Sequence, residues 1–359
     1  MADISDRKRE HLELALDIAS QSERTAGWED VHLIASSLPS VDLDEVDVAV
    51  QFCEAELKAP FVIASMTGGH EQAVEVNERL AKAAQELGVA IGCGSQRAAL
   101  RHPELARTYR VIREVAPDAV VMANVGICQL VYQGDQQALT RDEIETAIGM
   151  LDAQFLIVHL NVVEELIQPE GDSNLAGLLQ GLERTVSYSS VPVIAKETGA
   201  GMSREVARQL VSVGVAAVDV GGAGGTSFAR IEGQRAAKRG DRRGARLGQT
   251  FGAWGISTAA SILEVAGSEV PSIATGGVRS GLDAAKALSL GASAVGLGRP
   301  VLEAALRDDS GAVDEMAMFI DELRLAILLT GCASIGDMRA HRPVITGHTA
   351  TWASQRGLL

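Results

Sequence analysis

The sequence predicts a (β/α)₈ barrel, in which eight parallel strands close into a cylinder that is surrounded by helices. Two observations lead to this prediction. Eight short apolar runs show little alternation, as expected for strands that are buried on both faces of a parallel sheet. Each run is followed by a helix-like segment, which is typical of right-handed βαβ units. The runs cover residues 61–69, 89–97, 119–126, 155–161, 191–199, 216–225, 271–277 and 292–298.

Length and composition fit one large α/β domain. The chain has 359 residues, of which 47% are hydrophobic but only 3% aromatic, together with 37 glycines. This composition indicates an aliphatic core with many tight turns. Because such barrels exceed two hundred residues as one unit, we expect a single domain over residues 1–359. Its parts are an N-terminal extension (1–60), the barrel (61–311) and a C-terminal helix with its tail (312–359).

The segments outside the barrel repeat are predicted individually. Residues 6–20 read as a helix and residues 46–52 as a strand. Residues 312–331 read as a second helix, which a loop-rich end follows. A long basic insertion, residues 230–250, lies between the sixth strand and its helix. Loops of this length are lids, mobile segments or solvated surface loops, and these alternatives stay open at this point.

Charge and cysteine content exclude several classes of function. A net charge of −15 argues against nucleic-acid binding, which needs an excess of Lys and Arg. The 4 cysteines form no CxxC pair, so we expect reduced thiols without a zinc site. No apolar run approaches the roughly 18 residues of a membrane span, and the N-terminus is too charged for a signal peptide. We therefore expect a cytoplasmic protein that binds neither nucleic acid nor membrane.

Glycines and cations follow the seventh and eighth strands, in "ATGGVRSG" and "GLGRP". Backbone N–H groups at helix starts bind phosphate, and in barrels of this class the loops after these two strands hold one. Gly276, Gly277, Gly298 and Arg299 therefore predict a phosphate site, with plain tight turns as the alternative.

Lys196 closes the apolar fifth strand, in "VIAKETG". A buried ammonium is costly unless an anion or an electron-rich group meets it. A Schiff-base substrate or a flavin would meet that need, and an ion pair with Glu197 or Asp219 is the structural alternative. Further polar residues at strand ends could hydrogen-bond a planar ring: Thr67, Ser95, Asn124 and Thr226.

Two adjacent carboxylates, Glu164 and Glu165, follow the fourth strand. Neighbouring residues point in different directions, so the pair should have separate roles rather than share one proton. One carboxylate beside a bound phosphate is a common way to hold Mg²⁺. Two solvated acids that open a helix are the alternative. His159 and Asn161 precede the pair at alternate positions and face one side of the strand.

The ordered set of motifs resembles the type 2 isopentenyl diphosphate isomerases, which are flavoproteins with a (β/α)₈ barrel. The resemblance covers nearly the whole chain. It rests on "RKREH" (7–11), "MTGG" (66–69), "GSQR" (94–97), "HLN" (159–161), "EELIQPEGD" (164–172), "KETG" (196–199), "GGTSFARIE" (224–232), "WGISTAAS" (254–261) and "GGVRSGLDAAKALSLGA" (276–292).

The resemblance implies an activity and its cofactors. The expected reaction interconverts isopentenyl and dimethylallyl diphosphate without net redox change, with reduced FMN moving the proton. NADPH would be the usual reductant, Mg²⁺ would bind the diphosphate, and the protein would be a homo-oligomer, a tetramer or an octamer. An FMN-dependent barrel oxidoreductase and a non-catalytic flavin- or phosphate-binding protein are the competing functions.

The resemblance also implies roles for individual residues. Diphosphate ligands would be Arg7, Lys8, His11, Ser95, Gln96, Arg97 and Thr198. FMN would be held by Ser65, Met66, Thr67, Gly68, Ser95, Asn124, Lys196, Thr226, Gly276, Gly277, Arg279, Gly298 and Arg299. Catalytic positions would be His159, Asn161 and Glu164, with Glu165 as the metal ligand.

Glu164 departs from the family pattern N-x-x-Q-E, in which a glutamine contacts the substrate. An ionised carboxylate only accepts hydrogen bonds, whereas an amide also donates. Beside an anionic substrate, this change implies that Glu164 is protonated, that it joins the metal site, or that the isomerase is impaired or altered.

Overall fold

The eight predicted strands close into a parallel barrel. In a computed structural model that describes residues 4–168 and 170–358, apart from the side chains of residues 4–7 and 9, twelve strands are assigned. The barrel strands are β4 to β11, with the hydrogen-bonded order β10-β11-β4-β5-β6-β7-β8-β9. The strands are β1 (Val31–His32), β2 (Val50–Phe52), β3 (Ala55–Leu57), β4 (Phe61–Ile63), β5 (Ala90–Gly92), β6 (Val121–Gly126), β7 (Phe155–Leu160), β8 (Val193–Glu197), β9 (Ala217–Asp219), β10 (Ser272–Thr275), β11 (Ala294–Leu297) and β12 (Val344–Ile345). The predicted fold class is confirmed.

Helices alternate with these strands and cover the outside of the barrel. They are α1 (Ile4–Leu16), α2 (Ala73–Leu87), α3 (Arg97–Arg101), α4 (Arg107–Val115), α5 (Arg141–Leu151), α6 (Val162–Ile167), α7 (Leu178–Tyr188), α8 (Arg204–Ser212), α9 (Phe228–Lys238), α10 (Arg242–Thr250), α11 (Thr258–Val265), α12 (Gly281–Ser289), α13 (Arg299–Arg307), α14 (Gly311–Leu329), α15 (Ile335–Ala340) and α16 (Gly347–Arg356). None of these helices is long and apolar enough to cross a membrane.

The amino end of the barrel is closed by the antiparallel hairpin of β2 and β3. Phe52 and Leu57 of this hairpin are 0% and 1% exposed, and they pack with the apolar residues that begin the barrel strands. The ring of Phe52 meets that of Phe155 edge to face, with the centroids 6.0 Å apart. Burial of large apolar side chains stabilises this end by excluding water.

The N-terminal extension follows the prediction in part. Helix α1 ends at Leu16, and Asp17 caps a short 3₁₀ turn over residues 18–20. Only the last three residues of the predicted strand 46–52 are a strand, β2. The remainder runs as irregular chain, in which Asp47 bridges to Ser334.

Two predictions about the outer segments are wrong. The basic insertion 230–250 is not a loop, because it forms helices α9 and α10, which pack closely where Gly233 faces Gly248. A side chain at Gly248 would collide with the backbone of Gly233, so the glycine pair permits this close crossing. The tail is not loop-rich, because it forms α15, β12 and α16, with β12 paired to β1.

Candidate active site at the carboxyl end of the barrel

A cavity of about 710 Å³ opens at the carboxyl ends of the barrel strands and is covered on one side by α1. Most of the residues predicted from the sequence line it. They are Lys8, His11, Ser65, Met66, Thr67, Gly68, Ser95, Arg97, Asn124, His159, Asn161, Glu164, Glu165, Lys196, Thr198, Thr226, Gly276, Gly277, Arg279, Gly298 and Arg299.

Two predicted residues are not placed in the lining. Gln96 is 0% exposed, and its side chain is used in the wall of the barrel. Its Nε2 donates to the carbonyl oxygen of Ala147 at 2.8 Å, while its Oε1 accepts from the backbone N–H of Asn124 at 2.9 Å. The side chain of Arg7 lies outside the described residues.

The turn after β10 is shaped by glycine. Gly276 and Gly277 have φ of 120° and 66°, which favours glycine. A Cβ at Gly277 would lie 2.5 Å from the carbonyl oxygen of Gly224 and 2.8 Å from Ala26 Cβ. Trp28 donates its indole N–H to the carbonyl oxygen of Gly277 at 3.0 Å, which fixes the turn from outside.

The turn after β11 leads directly into a helix. Gly298 is the N-cap of α13, so no side chain caps the first N–H groups of that helix. Uncapped N–H groups at a helix start attract anions. The two turns therefore form a cradle that is suited to a phosphate group, and the phosphate site itself stays a prediction.

Lys196 forms an ion pair with Asp219, one of the two structural pairings that the sequence allows for it. Its Nζ lies 2.8 Å from Asp219 Oδ2, and both side chains are at least nine-tenths buried. Thr275 donates its hydroxyl to the same carboxylate oxygen at 3.0 Å. Asp219 thus fixes the ammonium at the cavity wall, and the pairing does not remove Lys196 from the lining.

His159 is held as a neutral base in one tautomer. Asn124 donates its Nδ2 to the carbonyl oxygen of Cys93 at 2.9 Å, which leaves its Oδ1 to accept from His159 Nδ1 at 2.7 Å. The Nδ1 atom therefore carries the proton, and Nε2 keeps its lone pair. Burial and the charge of Lys196 lower the pKa of His159 to about 4.

Glu165 is fixed by its own loop. Its Oε2 accepts the backbone N–H of Asp172 at 2.8 Å, and its Oε1 accepts from Asn161 Nδ2 at 3.0 Å. Asp172 pairs in turn with Arg97 at 3.0 Å. Glu164 also contacts Asn161 Nδ2, at 3.3 Å. The two adjacent glutamates thus share one amide but have different surroundings, as expected for separate roles.

Helix α1 brings cations to the cavity. Lys8 Nζ donates to the carbonyl oxygen of Ser95 at 2.6 Å and to the hydroxyl oxygen of Tyr109 at 2.7 Å. His11 lies one turn later, and its ring meets Phe228 edge to face at 6.2 Å. Lys8 and His11, two of the three residues predicted for this edge, therefore line the cavity.

Sequence reasoning missed Glu232 and Arg235 on helix α9. Glu232 is fully buried and lies 2.6 Å from His11 Nε2 and 2.6 Å from Arg235. The ligand atoms of His11, Glu164 and Glu232 lie within 4.8 Å of one another, so two carboxylates and an imidazole meet at this point. The spacing of Glu232 and Arg235, three residues apart, could have indicated a helical ion pair.

Curated relatives match the chain along nearly its whole length. The isopentenyl-diphosphate delta-isomerase of Methanosarcina barkeri is 46% identical over 98% of this chain and 95% of its own. The enzyme of the same name from Methanothermobacter thermautotrophicus is 43% identical over 99% and 97%. The chain belongs to the isopentenyl-diphosphate delta-isomerase family. The member from Halobacterium salinarum is 41% identical over 98% of this chain and 96% of its own.

A family model and a solved structure also match this isomerase family member. The family model described as FMN-dependent dehydrogenase matches residues 178–344. A crystal structure of mandelate oxidase with benzoyl-formic acid has a TM-score of 0.58 and 19% identity, covering 96% of this chain and 99% of that one. At this identity the likeness shows the fold alone.

The residues present fit FMN. The cradle at Gly277 and Gly298 suits the phosphate, and Lys196 offers a positive charge at the cavity wall. Two buried oxygens of the lining, Ser65 Oγ and Asn161 Oδ1, have no hydrogen-bond partner within residues 4–168 and 170–358. Buried polar atoms need partners, so these atoms suit a polar ligand in the cavity.

Proposed function

We propose that the protein interconverts isopentenyl diphosphate and dimethylallyl diphosphate with FMN in its reduced form. Mg²⁺ held by Glu165 would bind the diphosphate, and NADPH would supply the reduced flavin. The family relatives named for this reaction support the proposal. In this reaction a proton is added at the terminal alkene carbon and a different proton is removed from C2 of the substrate. The double bond shifts, and the composition of the molecule does not change.

The observation that carries the proposal is that two groups of residues, which suit anions of different character, line one cavity. The glycine cradle after β10 and β11 suits the phosphate of a flavin. The second site has cations at Lys8 and Arg97 beside the carboxylate of Glu165, a combination that suits a diphosphate with a bound Mg²⁺.

Some residues of the cavity would bind the diphosphate and the metal, and others would control the position of the proton. Lys8 and Arg97 would offset the charge of the diphosphate, while Glu165 would give the metal one oxygen ligand. FMN, when bound and reduced, would supply the group that gives and takes the proton. His159, neutral and fixed by Asn124, would accept a hydrogen bond at Nε2 without adding charge.

The proposal is tested by anaerobic turnover of isopentenyl diphosphate with FMN, NADPH and MgCl₂. Dimethylallyl diphosphate should form without stoichiometric oxidation of NADPH. Lys8→Ala should mainly raise KM, because the substrate loses a charged partner. The absorption spectrum of the purified protein checks the cofactor independently. Absence of product from a protein that carries reduced flavin would contradict the proposal.

An FMN-dependent oxidoreductase is the second candidate, and the match to the FMN-dependent dehydrogenase model favours it. It predicts that a substrate is consumed with net transfer of two electrons. Flavin that is bleached in single turnover by a 2-hydroxy acid, with isopentenyl diphosphate inert, would establish this function instead.

The carboxylate of Glu164 should affect the KM of the isomerase for isopentenyl diphosphate. Glu164→Gln restores the amide of the family pattern and removes one negative charge beside the substrate. We expect a lower KM for isopentenyl diphosphate, since like charges at about 4 Å repel by roughly 4 kcal/mol at an effective dielectric near 20. A variant with unchanged KM but lower kcat would instead give Glu164 a direct role in proton transfer or metal binding.

We propose in addition that the protein is a cytoplasmic homo-oligomer, a tetramer or an octamer. Three exposed apolar side chains of α14 support an interface there: Met318, Leu325 and Leu329, at 57%, 46% and 50% exposure. Light scattering of the purified protein measures the mass. A monomer at micromolar concentration would refute the assembly.

A further inference from the structure

We propose that Arg235 is the positioning residue that fixes helix α1, which carries diphosphate ligands, and the loop after α6, which holds the metal ligand Glu165, against helix α9. This guanidinium is 1% exposed and is absent from the cavity lining, so it would act through its partners. The assignment of those ligands rests on the proposed function. One buried cation fixes helix α1, the loop after α6 and helix α9 relative to one another.

The three nitrogen atoms of the guanidinium each contact a different carboxylate. Nε lies 2.9 Å from Glu10 Oε2, Nη1 lies 2.6 Å from Glu232 Oε2, and Nη2 lies 2.7 Å from Glu170 Oε1. Glu10 belongs to α1, Glu170 to the loop after α6, and Glu232 to α9. The planar fork of arginine allows these contacts in fixed directions, which the single ammonium of lysine does not.

Glu10 and Glu232 each connect Arg235 to residues that line the cavity. Glu10 lies on α1 between Lys8 and His11, both of which line the cavity. Glu232 uses its second oxygen for His11 Nε2, at 2.6 Å. The guanidinium of Arg235 therefore orients the face of α1 that carries Lys8 and His11. One route runs through Glu10 on the helix, and the other runs through Glu232 to the ring of His11.

The loop after α6 depends on the same cation. Glu170 is held by Arg235 two residues before Asp172, whose N–H donates to the Glu165 carboxylate. Asp172 also holds Arg97 at 3.0 Å. Release of Glu170 would therefore loosen the metal ligand and one of the diphosphate ligands together.

Electrostatics make this arrangement dependent on Arg235. Burial raises the pKa of Glu10 and of Glu170, but hydrogen bonds with Arg235 and its charge outweigh burial and lower both. Both carboxylates are thus ionised at neutral pH. Without the guanidinium, the three carboxylates would lose the cation that they share, while Arg239 would stay beside Glu10 and Glu170, and His11 beside Glu232. Repulsion would then push α1 and the loop away from α9.

Two other arginines provide matched controls. Arg239 contacts Glu10 and Glu170 at 3.2 Å but is 33% exposed and does not contact Glu232. Arg356 joins Glu205 and Glu264, at 2.6 and 2.7 Å, on α8 and α11, away from the cavity lining. Loss of Arg356 should therefore affect stability without affecting the site.

The test compares Arg235→Gln, Arg235→Lys, Arg239→Gln and Arg356→Gln in the FMN-loaded protein. We expect Arg235→Gln to raise the KM for isopentenyl diphosphate and the Mg²⁺ concentration needed for half-maximal rate, each by about tenfold or more, with kcat changed less than about threefold. Arg235→Lys should recover part of the loss because the charge remains. Arg239→Gln should have a small effect, and Arg356→Gln should leave both constants unchanged.

Hydrogen exchange supplies a readout that does not need turnover. In Arg235→Gln, amides of residues 4–16 and 165–172 should exchange faster, while those of α14 should stay protected. If the native protein proved inactive as an isomerase, this exchange result would still support the role of Arg235. Unchanged exchange in both segments, or a KM effect as large in Arg356→Gln, would overturn it.

A milder variant covers the case in which Arg235→Gln does not fold. Glu170→Gln weakens the contacts of Arg235 and Arg239 to the loop and keeps those of Arg235 to Glu10 and Glu232, at a side chain that is 34% exposed. It should raise the Mg²⁺ requirement and speed exchange in residues 165–172 but not in residues 4–16. Faster exchange in both segments, or in neither, would contradict the separate linkage argued above.

Discussion

The two ends of the barrel are built from the same eight strands but have opposite chemistry. At the amino end, the β2–β3 hairpin fills the opening with Phe52 and Leu57, which are almost fully buried. At the carboxyl end, ionisable side chains are buried instead, among them Lys196, Asp219 and Glu165. The first end gains stability from burial of apolar surface, whereas the second needs a partner for every buried charge.

The amino end of the barrel therefore contributes stability, whereas the carboxyl end carries the residues for ligand binding. Buried charges at the carboxyl end are paired through specific contacts, such as Lys196 with Asp219. Such pairs add little net stability, but removal of one partner is costly because it leaves the other charge buried. Changes at the amino end should therefore affect unfolding alone, whereas changes at the carboxyl end should also affect ligand binding.

The largest expected effect is the loss of the flavin in Gly277→Leu. A side chain there would collide with Gly224 and Ala26 and fill the cradle for the phosphate. Flavin absorbance of the purified variant should be absent, while circular dichroism should still show a folded barrel. Full flavin occupancy would show that the phosphate lies elsewhere.

Phe52→Ala tests the opposite end. The change removes a fully buried ring from the apolar plug, so the free energy of unfolding should fall by about 3–5 kcal/mol. Chemical denaturation measures the loss. Flavin content and KM at 20 °C or below should be unaffected, and a parallel loss of flavin would mean that the two ends are not independent.

His159 and Glu197 predict opposite dependences of stability on pH. The pKa of His159 is lowered to about 4 by burial and by Lys196, so its contribution is complete above pH 6.5 and is lost as pH falls towards 4. Burial raises the pKa of Glu197 to about 7 despite three backbone N–H contacts, so its contribution is complete below pH 4.5 and is lost as pH rises through 7.

Single variants should reveal each dependence in denaturation at several pH values. His159→Gln should remove the destabilisation on acidification from pH 6.5 to 4, a term of about 3 kcal/mol. Glu197→Gln should remove the opposing term and make the acid destabilisation steeper. A pH profile that is identical in all three proteins would contradict both assignments.

The smallest expected effect is a gain in stability from Gly149→Ala. Gly149 lies near the end of α5, and a Cβ there would meet no atom within 4 Å. The free energy of unfolding should rise by about 0.5–1 kcal/mol, since alanine loses less backbone entropy. This variant is the matched control for Gly277→Leu, and it should keep its flavin. Destabilisation would point to a contact in the assembled protein.

Local chain signals account for the segments that were predicted correctly and for those that were not. The barrel strands are non-alternating apolar runs, because side chains inside the barrel bury one face of each strand and the outer helices bury the other. Helix α9 was missed because its arginines read as a solvated run, although Ser227 caps its start and Gly233 permits packing on α10. The C-terminal tail was missed because α15 and α16 are only 6 and 10 residues long and are stabilised by packing.

By itself the sequence determined the barrel, the positions of the cradle glycines and the chemistry at the strand ends, because these depend on patterns within single βα units. The tertiary structure decided which charges are partners. Lys196 could have paired with Glu197 or Asp219, and only the register of β8 against β9, with Lys196 opposite Asp219, selects the latter. Arg235 likewise contacts Glu10 and Glu170, which lie 225 and 65 residues away in the sequence. Coulomb energies depend on distance in space and on burial, which folding sets and local sequence does not encode.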